Sequence, residues 1–313
     1  MGKWGGWSAD ADLDHSRELC MGATAEQREQ VVSAAIREIS HIATLPEITL
    51  KIIDLVEDPK STAQDLNEVI SNDPALSSRI LKVVNSSFYG LPGQISSINR
   101  AIVMLGLNAV KNIAIAASLA KLFRGGDLTP TFSARHLWTH SNLTAAASKM
   151  IADTLKLGLG DEAYLGGLIH DLGIMVEMQF DRTSLIEVVQ ALGPKDDGSP
   201  FANMLEVEES IFGADHQDFG HSLCKKWKFP DTFQRVTGYH HRPLELAAEN
   251  RTITAIVYVA DRIAGAIPNT FRLDLDSLEI DPAVMDALKI TSEQIADIST
   301  RLEEVAASLD TSL

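Results

Sequence analysis

Apolar residues recur at three- and four-residue spacing through most of this chain, and the alternating Val/Ile/Thr runs that mark strands are nearly absent. In Gln30–Ile42, the residues Val31, Val32, Ala35, Ile36 and Ile39 share one helical face. The chain is therefore expected to be all-α. Its helix punctuation is readable. Ser61-Thr62-Ala63-Gln64 reads as a capping box with Ser61 as N-cap and Gln64 at the third helical position. Asp73-Pro74 reads as an N-cap followed by a first-turn proline. The helix it opens carries Leu76, Ile80, Leu81 and Val84, and ends near Asn85-Ser86 before the turn 88–93. Thr291 caps a last amphipathic helix, with Gln294 completing the box and Ile295, Ile298, Leu302 and Val305 facing inward.

The 313 residues are more than one simple core accommodates, so two helical subdomains are expected. The break falls at Arg124-Gly125-Gly126-Asp127, followed by Pro130. This divides the chain into a leader (1–24), an N-terminal helical bundle (25–125), a second helical subdomain (130–270) and a C-terminal helical tail (271–313). No fixed-period repeat is present. The polar stretch 193–200 reads as a surface loop. The apolar stretch Ala101–Ala120 carries Asn108, Lys111 and Asn112 near its middle. A central lysine costs about 2.5–3.5 kcal/mol on membrane insertion. A buried helix pair broken near Gly106 is therefore expected, and no membrane span.

Charge narrows the partners. Lys and Arg number 27 against 43 Asp and Glu, for a net charge of −16. That balance argues against non-specific binding to nucleic acid or anionic lipid. It also counts against a helix-turn-helix over Ser97–Ile115, which is too apolar for DNA. The leader has no signal-peptide core, and Cys20 and Cys224 are too few and too far apart for a disulfide framework, so a cytoplasmic location is expected.

The chemical signal is histidine. Seven of the nine histidines lie between residues 136 and 241: His136, His140, His170, His216, His221, His240 and His241. Asp171 directly follows His170. The helix before them is expected to be capped at Asp161 and stopped by Gly173, so His170–Asp171 would sit at a helix C-terminus, where cations are favoured. His240–His241 would sit the same way, at the end of a helix starting near Asp231. Asp261 falls on the apolar helix Ile256–Asp261, where a buried carboxylate needs a partner. Imidazole and carboxylate together suit a divalent metal. The same groups can instead form a hydrogen-bonded core, with Asp261 accepting from His140 or Arg262, because ligands spread over some 120 residues have no diagnostic spacing. His136 and His221 are expected to be structural, and Cys224 a bystander. Gly158-Leu159-Gly160-Asp161-Glu162-Ala163 loosely fits a dinucleotide fingerprint but follows a helical stretch, so a helix–helix turn is expected.

Several elements resemble the HDOD family of bacterial signalling proteins, relatives of the HD and HD-GYP phosphohydrolases. In the first half they are Leu45-Pro46, Asp73-Pro74-Ala75-Leu76, Val84-Asn85-Ser86, Phe88-Tyr89-Gly90 and Leu105-Gly106. In the second half they are Leu137-Trp138, His140-Ser141, the run from Gly166 to Gly173, His216, Gly220, Trp227, His240-His241 and Ala260-Asp261. The resemblance spans roughly residues 40–265. It implies an N-terminal helical bundle packed on an HD-like helical subdomain. It also implies a metal held by His140, His170, Asp171 and Asp261, with His216, His240 and His241 helping to hold a second ion bridged by Asp171. The expected cofactor is a mono- or binuclear divalent centre of Fe, Mn, Zn, Ni or Mg.

The chain departs from its hydrolytic relatives at two points. They carry lysine in His-Asp-x-Gly-Lys, and here that place is Ile174, which cannot neutralise a phosphate oxygen. The Gly-Tyr-Pro element of cyclic-di-GMP hydrolases is also missing, since His241 is followed by Arg242-Pro243. The expected function is therefore a non-catalytic signal-transduction module that binds other signalling proteins. The alternative is a metal-dependent phosphohydrolase with a nucleotide or other phosphoester ligand, in which Asp171 would be the catalytic residue.

Overall fold

A computed structural model describes residues 24–39, 47–58, 60–85, 89, 91–119 and 126–308. The leader and Cys20, Leu45-Pro46, Ser86, Phe88, Gly90 and Arg124-Gly125 lie outside these residues. The described chain is helical from end to end. Its strands are a two-stranded hairpin, β1 (Asp127–Thr129) and β2 (Phe132–Ser133), at the expected break between the halves.

The first half holds α1 (Ala25–Glu38), α2 (Glu47–Glu57), α3 (Ala63–Ser71), α4 (Pro74–Val84), α5 (Ile98–Leu105) and α6 (Leu107–Leu119). Asp73 caps α4 by accepting from the Leu76 N–H at 2.9 Å, as its position before proline suggested. The cap of α3 lies one residue later than expected. Thr62, not Ser61, is the N-cap, and Asp65, not Gln64, closes the box. The Ser61 hydroxyl is turned inward, donating to the Leu55 carbonyl at 2.7 Å and accepting from Lys111 Nζ at 2.6 Å. Lys111, only 3% exposed on α6, also donates to the Leu55 carbonyl. Those acceptors make a lysine tolerable in the apolar stretch. Gly106 separates α5 from α6 with φ +92°, a backbone conformation that favours glycine. No described helix is long and apolar enough to cross a membrane.

The second half runs α7 (Ala134–Thr154), α8 (Gly160–Ile169), α9 (Leu172–Phe180), α10 (Arg182–Leu192), α11 (Met204–Phe212), α12 (His216–Lys226), α13 (Asp231–Tyr239), a 3-10 turn (Pro243–Glu245) and α14 (Thr252–Gly265). Two further helices follow, α15 (Pro282–Leu288) and α16 (Ser292–Ser308). The Thr291–Gln294 capping box opens α16 as expected, and Ile298 and Leu302 are fully buried. Gly158 makes a helix–helix turn between α7 and α8.

The N-terminal bundle joins the HD-like subdomain where α6 packs on α8. One buried apolar cluster crosses that junction, from Val32, Ile52, Leu66, Ile80 and Ile113 to Leu168, Leu172, Ile174, Val188 and Phe219. A second cluster joins α7 and α14 to α15 and α16 through Leu143, Ile151, Ile256, Val284, Ile298 and Leu302. The first described helix, α1, lies against α9 and α12 of the second half. Its contacts include Lys226 Nζ donating to the Ile36 carbonyl at 3.0 Å and an Arg28–Glu209 ion pair.

Candidate metal centre

Helix α8 passes into α9 through two residues alone, His170 and Asp171. His170 keeps helical angles and Asp171 turns the chain at φ −93°, ψ 18°. Gly173 is therefore not a helix stop, as expected from sequence, but lies in the first turn of α9. A Cβ there would stand 1.7 Å from the His216 carbonyl oxygen, so glycine permits α9 and α12 to touch. Asp161 does not cap α8 either. No side chain caps that end, and Asp161 pairs with Lys149 at 3.2 Å.

Four other helices bring the remaining groups to His170–Asp171. His140 comes from the middle of α7 and Asp261 from the buried face of α14. His216 opens α12, and His240 caps α13 with His241 directly after it. His140 Nε2 lies 2.9 Å from Asp261 Oδ1, which is 3.7 Å from His170 Nε2. His170 Nε2 is 3.1 Å from Asp171 Oδ2, and the other Asp171 oxygen is 3.4 Å from His240 Nε2. His216 Nε2 stands 3.3 Å from His240 Nε2 and 3.2 Å from His241 Nε2. His140, His170, Asp171, His216, His240 and Asp261 have no exposed surface.

The ring orientations suit metal ligation. His170 Nδ1 donates to the Gly167 carbonyl at 2.7 Å, and His240 Nδ1 to the Val236 carbonyl at 3.2 Å. His216 Nδ1 donates to Glu208 at 2.8 Å. Each bond fixes the ring and turns Nε2 toward the centre. Donors 2.0–2.1 Å from a tetrahedral ion lie about 3.3 Å apart, which is the spacing of His216 from His240 and His241. His170 Nε2, both Asp171 oxygens and Asp261 Oδ2 are buried without a hydrogen-bond partner. Such orphaned groups are costly in an ion-free core and are what a bound cation would satisfy. The donor set thus fits a divalent metal. Two ligand triads satisfy the geometry, His216–His240–His241 and His140–His170–Asp261.

The electrostatics agree. Burial disfavours the charged form of His216, but the Glu208 carboxylate outweighs it and lifts the imidazolium pKa to about 10. Without a metal, a proton on His216 Nε2 can bridge to a neighbouring imidazole. Burial disfavours charge on Asp171 too, yet His170 and His240 hold it well below the usual carboxylate range. Burial, with the neighbouring imidazoles, pushes His241 well down, leaving its lone pair free for a metal.

The sequence did not point to Asp274, in the loop after α14. Its Oδ2 lies 3.6 Å from His241 Nε2, and it completes two further donor groups, with His140 and Asp171 and with His241 and Asp261. Burial and the charges of Asp261 and Asp171 push its carboxyl well up, the mark of a site with more carboxylates than it can ionise alone. Glu208, the anchor of His216, was also missed. His136 and His221 stay outside the cluster. His136 is exposed, and His221 Nδ1 donates to the Gln234 carbonyl at 2.9 Å. Cys224 is buried, and burial pushes its thiol up to about 12, which leaves it unreactive.

The HDOD domain profile matches residues 42–243. The chain belongs to the HDOD family. An HDOD domain protein of Geobacter sulfurreducens has the same fold, with a TM-score of 0.77 at 24% identity, covering 93% of this chain and 100% of that one. A candidate phosphohydrolase of Shewanella amazonensis SB2B is similar at TM-score 0.67 and 21% identity, covering 88% of this chain and 94% of that one. A candidate signal transduction protein of Marinobacter aquaeolei VT8 is similar at TM-score 0.68 and 21% identity, covering 96% of this chain and 64% of that one. An uncharacterised protein of Treponema pallidum is 24% identical over 240 residues, 75% of this chain. The match spans 44% of that relative's length. These likenesses establish the HDOD fold; the chemistry rests on the cluster itself.

Proposed function

We propose that this HDOD protein is a non-catalytic cytoplasmic signalling module that acts by binding other signalling proteins. In this reading a divalent-metal centre holds its HD-like helices in register. His140, His170, Asp171 and Asp261 would hold one ion, and His216, His240 and His241 a second, with Asp171 and Asp274 within reach of both groups. The bound metal would supply Lewis acidity; the protein's residues supply its enclosure.

The closure of the cluster carries the reading. Six of the seven groups have no exposed surface, and the His241 side chain is 7% exposed. A hydrolytic metal keeps an open coordination position and a path for substrate. The pocket beside His241 has a volume of about 210 Å³, small against the roughly 300–1,000 Å³ of ligand sites. Ile174, standing where hydrolytic relatives have lysine, is buried in the apolar core. The likeness to the Marinobacter protein is in keeping with a signalling role.

The test is metal analysis of protein purified without chelator, with assays on bis-p-nitrophenyl phosphate, cyclic dinucleotides and nucleotides. Bound Fe, Mn, Zn, Ni or Mg that is lost on Asp171→Ala, with no turnover, is the expected result. Turnover that disappears with Asp171→Ala would establish the second reading, a metal-dependent phosphohydrolase. Two adjacent donor triads, the arrangement that two-metal hydrolysis requires, favour that second reading.

A further inference from the structure

The loop between α14 and α15 brings one more donor to the cluster, Asp274, from outside the stretch 42–243 that the HDOD profile matches. This loop is anchored on both sides of Asp274. Before it, Phe271 packs edge-on against Phe132 of β2 with ring centroids 5.4 Å apart, and lies 6.2 Å from the His140 ring. After it, Leu275 lies against α14, where a Cβ on Gly265 would stand 2.6 Å from Leu275 Cδ1. Two polar contacts tie the same loop to the segment before α11. Arg272 pairs with Asp197 at 3.2 Å, and Asp276 accepts from Asn203 at 3.3 Å. A turn between these anchors, closed by the Leu275 N–H donating to the Arg272 carbonyl at 3.2 Å, carries Asp274.

The Asp274 side chain has no exposed surface, and neither oxygen has a hydrogen-bond partner among the described residues. Its Oδ2 lies 3.6 Å from His241 Nε2. A carboxylate oxygen of Asp274 also lies within 4.8 Å of donor atoms of His140 and Asp171, and of His241 and Asp261. Asp274 therefore stands between the two donor triads. A carboxylate buried there without a partner is costly, and a cation between the triads would satisfy it. We propose that Asp274 is itself a metal ligand and fills the coordination position that a hydrolytic site leaves to water. The proposal rests on reading the cluster as a metal centre. It adds the reason why that centre is closed: a catalytic ion keeps one position open, and the loop after α14 supplies the donor that takes it.

The experiment uses the full chain, freed of metal by chelator and reloaded with Co²⁺, whose visible absorption reports its coordination. Azide is the probe for an open position, and the pocket lined by His241 gives it a path to that side of the cluster. In wild type the Co²⁺ spectrum is expected not to respond to azide. In Asp274→Ala it should shift and saturate, and Co²⁺ affinity should be at least about tenfold weaker. Melting temperatures separate a ligand from a merely structural residue. Chelated Asp274→Ala should melt above chelated wild type, because a buried unpartnered carboxylate is gone, while its rise in Tm on adding Co²⁺ should be smaller. Asp274→Asn, which keeps the shape without the charge, should behave the same way and is the check should alanine unsettle the loop. The same azide response in wild type and both variants, equal Co²⁺ affinity, or variants less stable than wild type when chelated would overturn the role of Asp274 alone. Wild-type protein that takes up no Co²⁺ would overturn the metal reading with it.

Discussion

Glu208 holds His216 at two points, accepting from its backbone N–H at 3.0 Å and from its ring Nδ1 at 2.8 Å. The carboxylate has no exposed surface and sits directly behind a ring whose Nε2 faces His240 and His241. It sets the ring's orientation and raises its basicity. Glu208→Gln keeps the shape but loses the charge. Metal affinity in this variant is expected to fall roughly 10- to 100-fold, read by competition with a chromophoric chelator. An unchanged affinity would mean that His216 is not a ligand.

Metal removal should be visible in stability. At a free-metal concentration of 100 times Kd, a bound ion adds about 2.7 kcal/mol, which for a chain of this size raises Tm by roughly 4 °C. Calorimetry with and without chelator checks this. The pH dependence should differ as well. In chelated protein the His216 pKa is raised, so its contribution is fully present below the unfolded value near 6.5 and is lost as pH rises through about 10. Metal takes the place of that proton, so the loaded protein should keep its stability across the same window.

Glu177 is buried on α9 with neither carboxyl oxygen hydrogen-bonded. Burial, reinforced by the charges of Glu208, Asp215 and Asp171, pushes its carboxyl well above the usual range, so it folds as the neutral acid. Between the unfolded and folded pKa values the native state then binds the extra proton, and stability falls as pH rises through that interval. Glu177→Gln removes this dependence. Its stabilisation relative to wild type should be absent below the ordinary carboxyl value of 4.5 and grow above it, as measured by urea unfolding at acid and neutral pH.

Alanine normally stabilises a helix relative to glycine by about 1 kcal/mol. Gly173→Ala should do the reverse, because its methyl would overlap the His216 carbonyl oxygen. The expected cost is about 3 kcal/mol or more, measured by denaturant unfolding, as α9 is forced off α12.

The helices were legible because their signals are local. Asp73-Pro74, Thr291–Gln294 and the break at Gly106 each depend on neighbours within a few residues. The misreadings all came from distant partners. Ser61 loses its capping role to Lys111, 50 residues away. Gly173 looks like a stop until the backbone of α12 is seen against it. The seven candidate metal groups lie too far apart for spacing to unite them, and the family resemblance brought them together. Asp274 sits in a loop without periodicity, and Glu208 in an acidic stretch, Glu206 to Glu209, that reads as solvated surface. Nothing short of the tertiary packing sets those two apart from the chain's other carboxylates.

The docking of α1 has a consequence for synthesis. Its partner Lys226 is 190 residues further along the chain. At ribosomal rates of about 5–20 residues per second, α1 waits roughly 10–40 s before α12 has been made. Through that interval the stripe of Val32, Ala35 and Ile36, buried in the finished protein, lacks the α12 side of its resting surface. The first of the described helices to leave the ribosome is thus among the last to find its place, and its exposed stripe is where a nascent-chain chaperone would be needed.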